Sequence, residues 1–267
     1  MPKISSKAVV ANPSGLAEDV EVGPFSFLGP EVTVAAGTVI ANNVTILGRT
    51  SIGPGCRLFP GCVVGSPPEG LAAEDAGACL IDAGNVIREH VIIEAGGDAN
   101  GPGTNVGKAN MLMVGCHVGH DAALDSEGIF ANFTRISHHC RIEQYVRTGG
   151  FTGVAAYATV GAYAFTTGYA SIDRDVPPYA KVQGIPFRVR SVNVVRLQRC
   201  GFDAGTIAAL KRAFRALFDG DAAFPAGEKL DSVQASSDDE HVTYLVESLR
   251  RSAASPSGLR LQSGPGS

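Results

Sequence analysis

The chain has 267 residues, is 45% hydrophobic without a single Trp, and carries a formal net charge of −4. This balance points away from nucleic acid as the main partner, and the core must be aliphatic rather than aromatic. The opening MPKISSKAVV has no apolar run long enough for a signal peptide, and no segment reaches transmembrane length, so a cytoplasmic protein is expected.

From Val10 onward an aliphatic residue recurs at every sixth position: Val10, Leu16, Val22, Leu28, Val34, Ile40, Ile46, Ile52, Leu58, Val64. The period resumes at Ile81, Ile87 and Ile93, and again from Val106 through Ile142 to Val154, Val160 and Ile172, with Thr148 and Thr166 as interruptions. Neither a helix nor a flat strand has this period. It predicts a solenoid of three walls, with three hexads and eighteen residues per coil. The residue after each aliphatic is mostly Ala or Gly, which suits a tight corner, and residues eighteen apart become vertical neighbours at strand spacing, about 4.8 Å. The repeat itself does not fix the hand of the coil. Cys56, Cys62, Cys116 and Cys140 fall at the small inward fifth position of a hexad, as buried thiols rather than disulfide partners.

The β-helix is expected over residues 1–187, with loop insertions at about 66–80 and 94–105 that shift the repeat phase. Prolines at Pro177, Pro178 and Pro186 end the coil. A helical subdomain follows over 188–252: a short helix over 193–199, one over 203–218 capped by Asp203, a loop, and one over 240–251. The tail 253–267 is expected to be disordered. Between 188 and 215, Arg188, Arg190, Arg196, Arg199, Lys211, Arg212 and Arg215 face one acid, Asp203, a net +6 on an acidic chain; this suits docking of an acidic partner.

A packed prism leaves chemistry to its outer edges or to contacts between copies. Four of the six histidines lie within 23 residues: His117, His120, His138 and His139. Counting by eighteens puts His138 over His120 and His139 over Asp121. Imidazoles with a carboxylate on one corner suit a neutral general base held in one tautomer. A ladder of surface histidines and a zinc site are the competing readings. Zinc is the weaker, because His117 and His120 fall on different parts of the coil, and no metal is expected.

The segments GKANMLMVGCHVGHD (107–121), IFANFTRISHH (129–139), DRDVPPYAKVQGIP (173–186) and SVNVVRLQRCGF (191–202) resemble the hexapeptide-repeat acyltransferases. Among these they are most similar to the acyl-carrier-protein:UDP-N-acetylglucosamine O-acyltransferases of lipid A synthesis. The resemblance implies a left-handed parallel β-helix and a homotrimer with sites between subunits. It implies no resident cofactor, the acyl-phosphopantetheine arriving on acyl carrier protein. It further implies His120 as general base, Asp121 as its orienting group, and the His138 backbone N–H as oxyanion donor. His117, His139 and Glu94 would line the sugar-nucleotide site, Gly168 would bear on acyl length, and Asn193 and Arg199 would lie near the nucleotide phosphates. The basic face, with Arg188, Arg190, Arg196, Lys211, Arg212 and Arg215, would dock the carrier protein.

The chain departs from the family pattern at several points. Glu94-Ala95-Gly96-Gly97 stands where the family has His-Arg-Gly-Thr. Gly70 and Ala72 replace an Asp and a Lys, Ala155 and Ala156 a His-Gln pair, Val195 a Glu, and His138 a glycine. These changes in the acceptor-reading shell admit a paralogue acting on another nucleotide sugar or an amine, or a non-catalytic trimeric scaffold that binds the carrier protein.

Overall fold

The computed structural model describes residues 1–218, 225 and 227–255. Among these, short strands of mostly two residues build three walls of eleven, nine and seven strands, visited in turn by each coil. The coil is a left-handed parallel β-helix. Register follows the eighteen-residue count where the coil is uninterrupted: Val22 pairs with Ile40, Leu28 with Ile46, His117 with Arg135, and Arg135 with Gly153. Across the insertions the walls stay in register although the count does not. Ile52 pairs with Ile81 and Ile81 with Val106. Extra residues leave as loops, because slipping a strand by one would turn its aliphatic outward.

The hexad aliphatics fill the prism. Ile40, Ile46, Leu58, Ile87, Ile93, Leu112, Ile136 and Ile142 are all buried, each such side chain contributing about 1.5–3 kcal/mol relative to exposure. The two interruptions also point inward, where Thr148 Oγ1 lies 2.6 Å from Thr134 Oγ1 and Thr166 Oγ1 lies 3.1 Å from Thr152 Oγ1. The hydroxyls therefore satisfy one another inside an apolar prism. Cys56, Cys62, Cys79, Cys116 and Cys140 are buried and unpaired; burial pushes the Cys62 and Cys116 thiols up to about 11 and those of Cys79 and Cys140 up to about 12. The corners need small residues. A Cβ on Gly53 would sit 2.7 Å from the Asp82 carbonyl carbon of the next coil.

The parallel coil gives way to an antiparallel hairpin, Ala180–Gly184 with Phe187–Val192, so the expected boundary at 187/188 falls inside a strand pair. Pro186 occupies the turn, where no ladder donor is required. Helices α1 (Val194–Arg199), α2 (Ala204–Leu217), α3 (Gly227–Ala235) and α4 (Glu240–Ala254) follow. Asp203 caps α2 by accepting from the Gly205 and Thr206 N–H groups, and Asp239 caps α4 in the same way. The segment expected as a loop before α4 includes α3. Of the expected tail, 256–267 lie outside the described residues, and α4 runs on through Ala254.

Candidate active site

The site lies on the corner that follows strand His117–Val118 and precedes strand Ala123–Leu124. Gly119 begins the turn; a Cβ there would lie 2.8 Å from the His138 nitrogen of the coil above. Asp121, His139 and Tyr157 occupy equivalent positions on successive coils, with φ of 57°, 54° and 67°. This left-handed backbone turns all three side chains outward along one edge.

His120 Nδ1 lies 2.8 Å from Asp121 Oδ2. An ionised carboxylate can only accept, so Nδ1 carries the proton and Nε2 keeps its lone pair. The Gly97 N–H also donates to Asp121 Oδ2, at 3.0 Å, and the Asp121 N–H donates to Thr104 Oγ1, at 2.9 Å. Gly97 belongs to the second insertion and Thr104 opens the strand that follows it, Thr104–Val106, so the loop and its return to the wall brace the pair. A Cβ on Gly97 would meet His120 Nδ1 at 2.8 Å, so the loop backbone approaches as closely as glycine allows.

Glu94 spans the other side. Its Oε2 accepts the His120 N–H at 2.9 Å, and its Oε1 lies 3.3 Å from His117 Nε2. Burial alone would raise the Glu94 carboxyl; the bonds from His117 and the His120 N–H outweigh it and hold the group below the usual carboxylate range. His138 lies face to face on His120, with ring centroids 4.8 Å apart and planes 6° apart. His139 meets both rings edge-on, stacks on Tyr157, and brings its Nδ1 to 3.8 Å from Asp121 Oδ2. Beside these groups opens a cavity of about 210 Å³, lined by Glu69, Glu94, His117, His120, Arg135 and His138 among others. Donor atoms of His120, Asp121 and His139 lie within 4.8 Å of one another, a spacing that could bracket a cation; His117, the other member of the His-x2-His pair, is not in that group.

The structure thus brings Glu94, His117, His120, Asp121, His138 and His139 together. It does not bring Gly168, Asn193 or Arg199 to this corner within one chain. Gly168 lies on the corner before strand Ser171–Ile172, packed on Gly150. Asn193 donates its amide to the Tyr163 carbonyl at 2.8 Å, on the edge where Tyr145 and Tyr163 stack. Arg199 ends α1, and with Arg196 lies near Arg147, whose guanidinium is lowered first by burial and then by those two charges. Of the basic residues, Arg190, Lys211 and Arg215 line one groove with Phe214. Arg188 shares their strand and Arg212 their helix. Arg196 instead folds over the Tyr145 ring, 5.3 Å from its centroid.

Sequence reasoning missed Tyr157 and Arg135, although the same count reaches both: they stand eighteen residues after His139 and His117. Gly97 sits inside an insertion, where no count applies; Thr104 opens the strand at which the period resumes.

The profile of a family described as "Udp N-acetylglucosamine O-acyltransferase; Domain 2" matches residues 175–258. The acyl-[acyl-carrier-protein]--UDP-N-acetylglucosamine O-acyltransferase of Synechocystis sp. is 36% identical over 211 residues, 79% of this chain and 75% of that protein. The enzyme of that name from Sinorhizobium fredii is 32% identical over 252 residues, 88% of this chain and 93% of its own. Among solved structures, the UDP-N-acetylglucosamine acyltransferase LpxA of Bacteroides fragilis superposes with a TM-score of 0.85 at 30% identity, over 91% of this chain and 95% of that one. LpxA of Acinetobacter baumannii gives 0.84 at 28%, over 93% and 96%. With relatives of this identity and coverage, and with a histidine–aspartate pair at the corner where the register places it, the chain belongs to the acyl-[acyl-carrier-protein]–UDP-N-acetylglucosamine O-acyltransferase family.

Proposed function

We propose that this chain transfers a 3-hydroxyacyl group from acyl carrier protein to the 3-hydroxyl of UDP-N-acetylglucosamine, an early step of lipid A synthesis. The observation that carries the reading is the His120–Asp121 pair, with Nδ1–H fixed on the carboxylate and Nε2 free beside a cavity. His120 Nε2 takes the proton of the sugar hydroxyl as its oxygen attacks the thioester carbonyl carbon. The oxyanion forms against the His138 backbone N–H, a donor fixed before the reaction begins. The C–S bond breaks as His120 returns its proton to the departing phosphopantetheine sulfur. An ester and the free carrier thiol result, with no resident cofactor or metal in the step.

His117, His139 and Glu94 line the acceptor side, and Gly168 bears on acyl length. Asn193 and Arg199 serve the nucleotide phosphates of a site shared between copies. Their distance in the fold from the His120 corner supports a homotrimer, since another copy could present them to the base. The groove of Arg190, Lys211 and Arg215, with Arg188 and Arg212 beside it, supports docking of the acidic carrier protein, the source of acyl groups in a cytoplasmic setting. No helix among the described residues is long and apolar enough to cross a membrane.

The test is acyl transfer from 3-hydroxyacyl carrier protein, with the product identified by mass. Ester on UDP-N-acetylglucosamine is expected. Transfer only to another nucleotide sugar would redirect the acceptor, and carrier binding without any transfer would leave a scaffold.

A further inference from the structure

At this corner the side chain of His138 has no part in the acyl-transfer chemistry proposed above. The rungs stack the imidazole of His138 on the imidazole of His120, 4.8 Å between centroids and 6° from parallel. His138 is itself held from the side: His139 meets it edge-on at 5.2 Å and 85°, and Tyr157 at 5.3 Å and 87°. No described residue offers its buried Nδ1 a hydrogen bond. Packing, rather than a polar contact at that nitrogen, sets its plane.

His120 needs such a neighbour. Among the described residues its ring has one hydrogen bond, from Nδ1 to Asp121. That bond pins one atom, but the terminal torsion of a histidine ring is broad, and a ring tethered at one nitrogen can swing and carry Nε2 off its target. A parallel ring on its face removes that freedom. The face of a neutral aromatic ring also attracts the imidazolium that forms when Nε2 takes a proton.

We infer that the side chain of His138 is a positioning residue for the base: stacked on His120, it fixes the plane in which Nε2 meets the acceptor hydroxyl and faces the cation that forms there. This rests on His120 being the base, and it goes beyond the backbone oxyanion role of the same residue. His138 suits the part because its surroundings disfavour a proton on it. Burial first, then the charges of His120 and His139, hold it below the ordinary histidine value, against the smaller opposing pull of Glu94 and Asp121.

The experiment compares full-length wild type with His138→Ala, His138→Phe and His138→Gln, all of which keep the backbone N–H. With acyl carrier protein substrate and UDP-N-acetylglucosamine, His138→Ala should lose about tenfold in kcat with little change in KM, the pattern of an interaction made in the transition state. His138→Phe, which restores a ring face, should recover most of that loss; His138→Gln, polar but not aromatic, should not. A second readout needs no substrate. In proton NMR, the His120 Hε1 resonance should show an upfield ring-current shift in wild type and in His138→Phe, and lose it in His138→Ala. Wild-type kcat in His138→Ala would overturn the inference. So would rescue by Gln but not Phe, or an Hε1 shift that ignores the substitution. A wild type that acylates no UDP-N-acetylglucosamine would count against the proposed reaction, while the NMR comparison would still decide the stack.

Discussion

Glu94 shows how a single side chain can serve both stability and geometry. It stands where the family resemblance calls for a histidine, yet it accepts the backbone N–H of His120 and faces His117 Nε2. Its carboxyl is held below the ordinary value of 4.5, so the folded state binds the proton less readily than the unfolded chain. The stability this gives is present above the unfolded carboxylate value and is lost as pH falls through the folded one. Melting temperatures measured down through the acid range should therefore fall faster for wild type than for Glu94→Gln, the two curves converging at the acid end. Parallel curves would mean that the carboxylate contributes nothing. The count by eighteens placed His138 on His120, and the structure has the two rings stacked. Glu94 itself ends a regular strand, Ile92–Glu94; its place beside His120 escaped the count because the insertion that follows it sets Ile93 twenty-five positions, not eighteen, before its partner Val118.

At the level of elements, the join between coil and helices turns on one buried acid. Glu143 Oε2 accepts the Tyr244 hydroxyl at 2.6 Å and the Ala162 N–H at 2.8 Å, tying α4 to the coil across 101 residues of sequence. Tyr244→Phe removes one donor from a buried carboxylate and should cost about 1–3 kcal/mol in denaturant unfolding; a change under about 0.5 kcal/mol would show the contact to be dispensable. Neither partner stood out in the sequence, since Glu143 occupies an outward hexad position and Tyr244 a helix surface. Helix α3 escaped notice for a related reason: Leu230 and Val233 are its buried residues, too few to trace a helical period. The hairpin was hidden by Pro186, read as a terminator although it occupies a turn between two strands. The coil, by contrast, was legible almost throughout, because each hexad repeats the same requirement of a large aliphatic inside and a small residue at the corner.

For the molecule as a whole, charge is divided between its parts. The overall charge is −4, yet Arg190, Lys211 and Arg215 line one groove between the final strand and α2. Docking of an acidic carrier protein there should weaken with salt, since exposed charges are screened over about 8–10 Å at ordinary ionic strength. Reversing two of these charges, in Arg190→Glu with Arg215→Glu, should raise Kd by about tenfold or more at low salt and flatten the salt dependence. A salt-independent Kd, unmoved by the reversal, would place docking elsewhere. Coil, insertion and corner together leave one imidazole nitrogen, His120 Nε2, free beside a cavity, and the proposed reaction has it take the proton of the acceptor hydroxyl. The most direct measurement is single-turnover transfer from 3-hydroxyacyl carrier protein to UDP-N-acetylglucosamine by wild type and His120→Ala. The expected result is a loss of about 10²–10⁴ in rate with the melting temperature preserved; transfer at the wild-type rate by His120→Ala would contradict it.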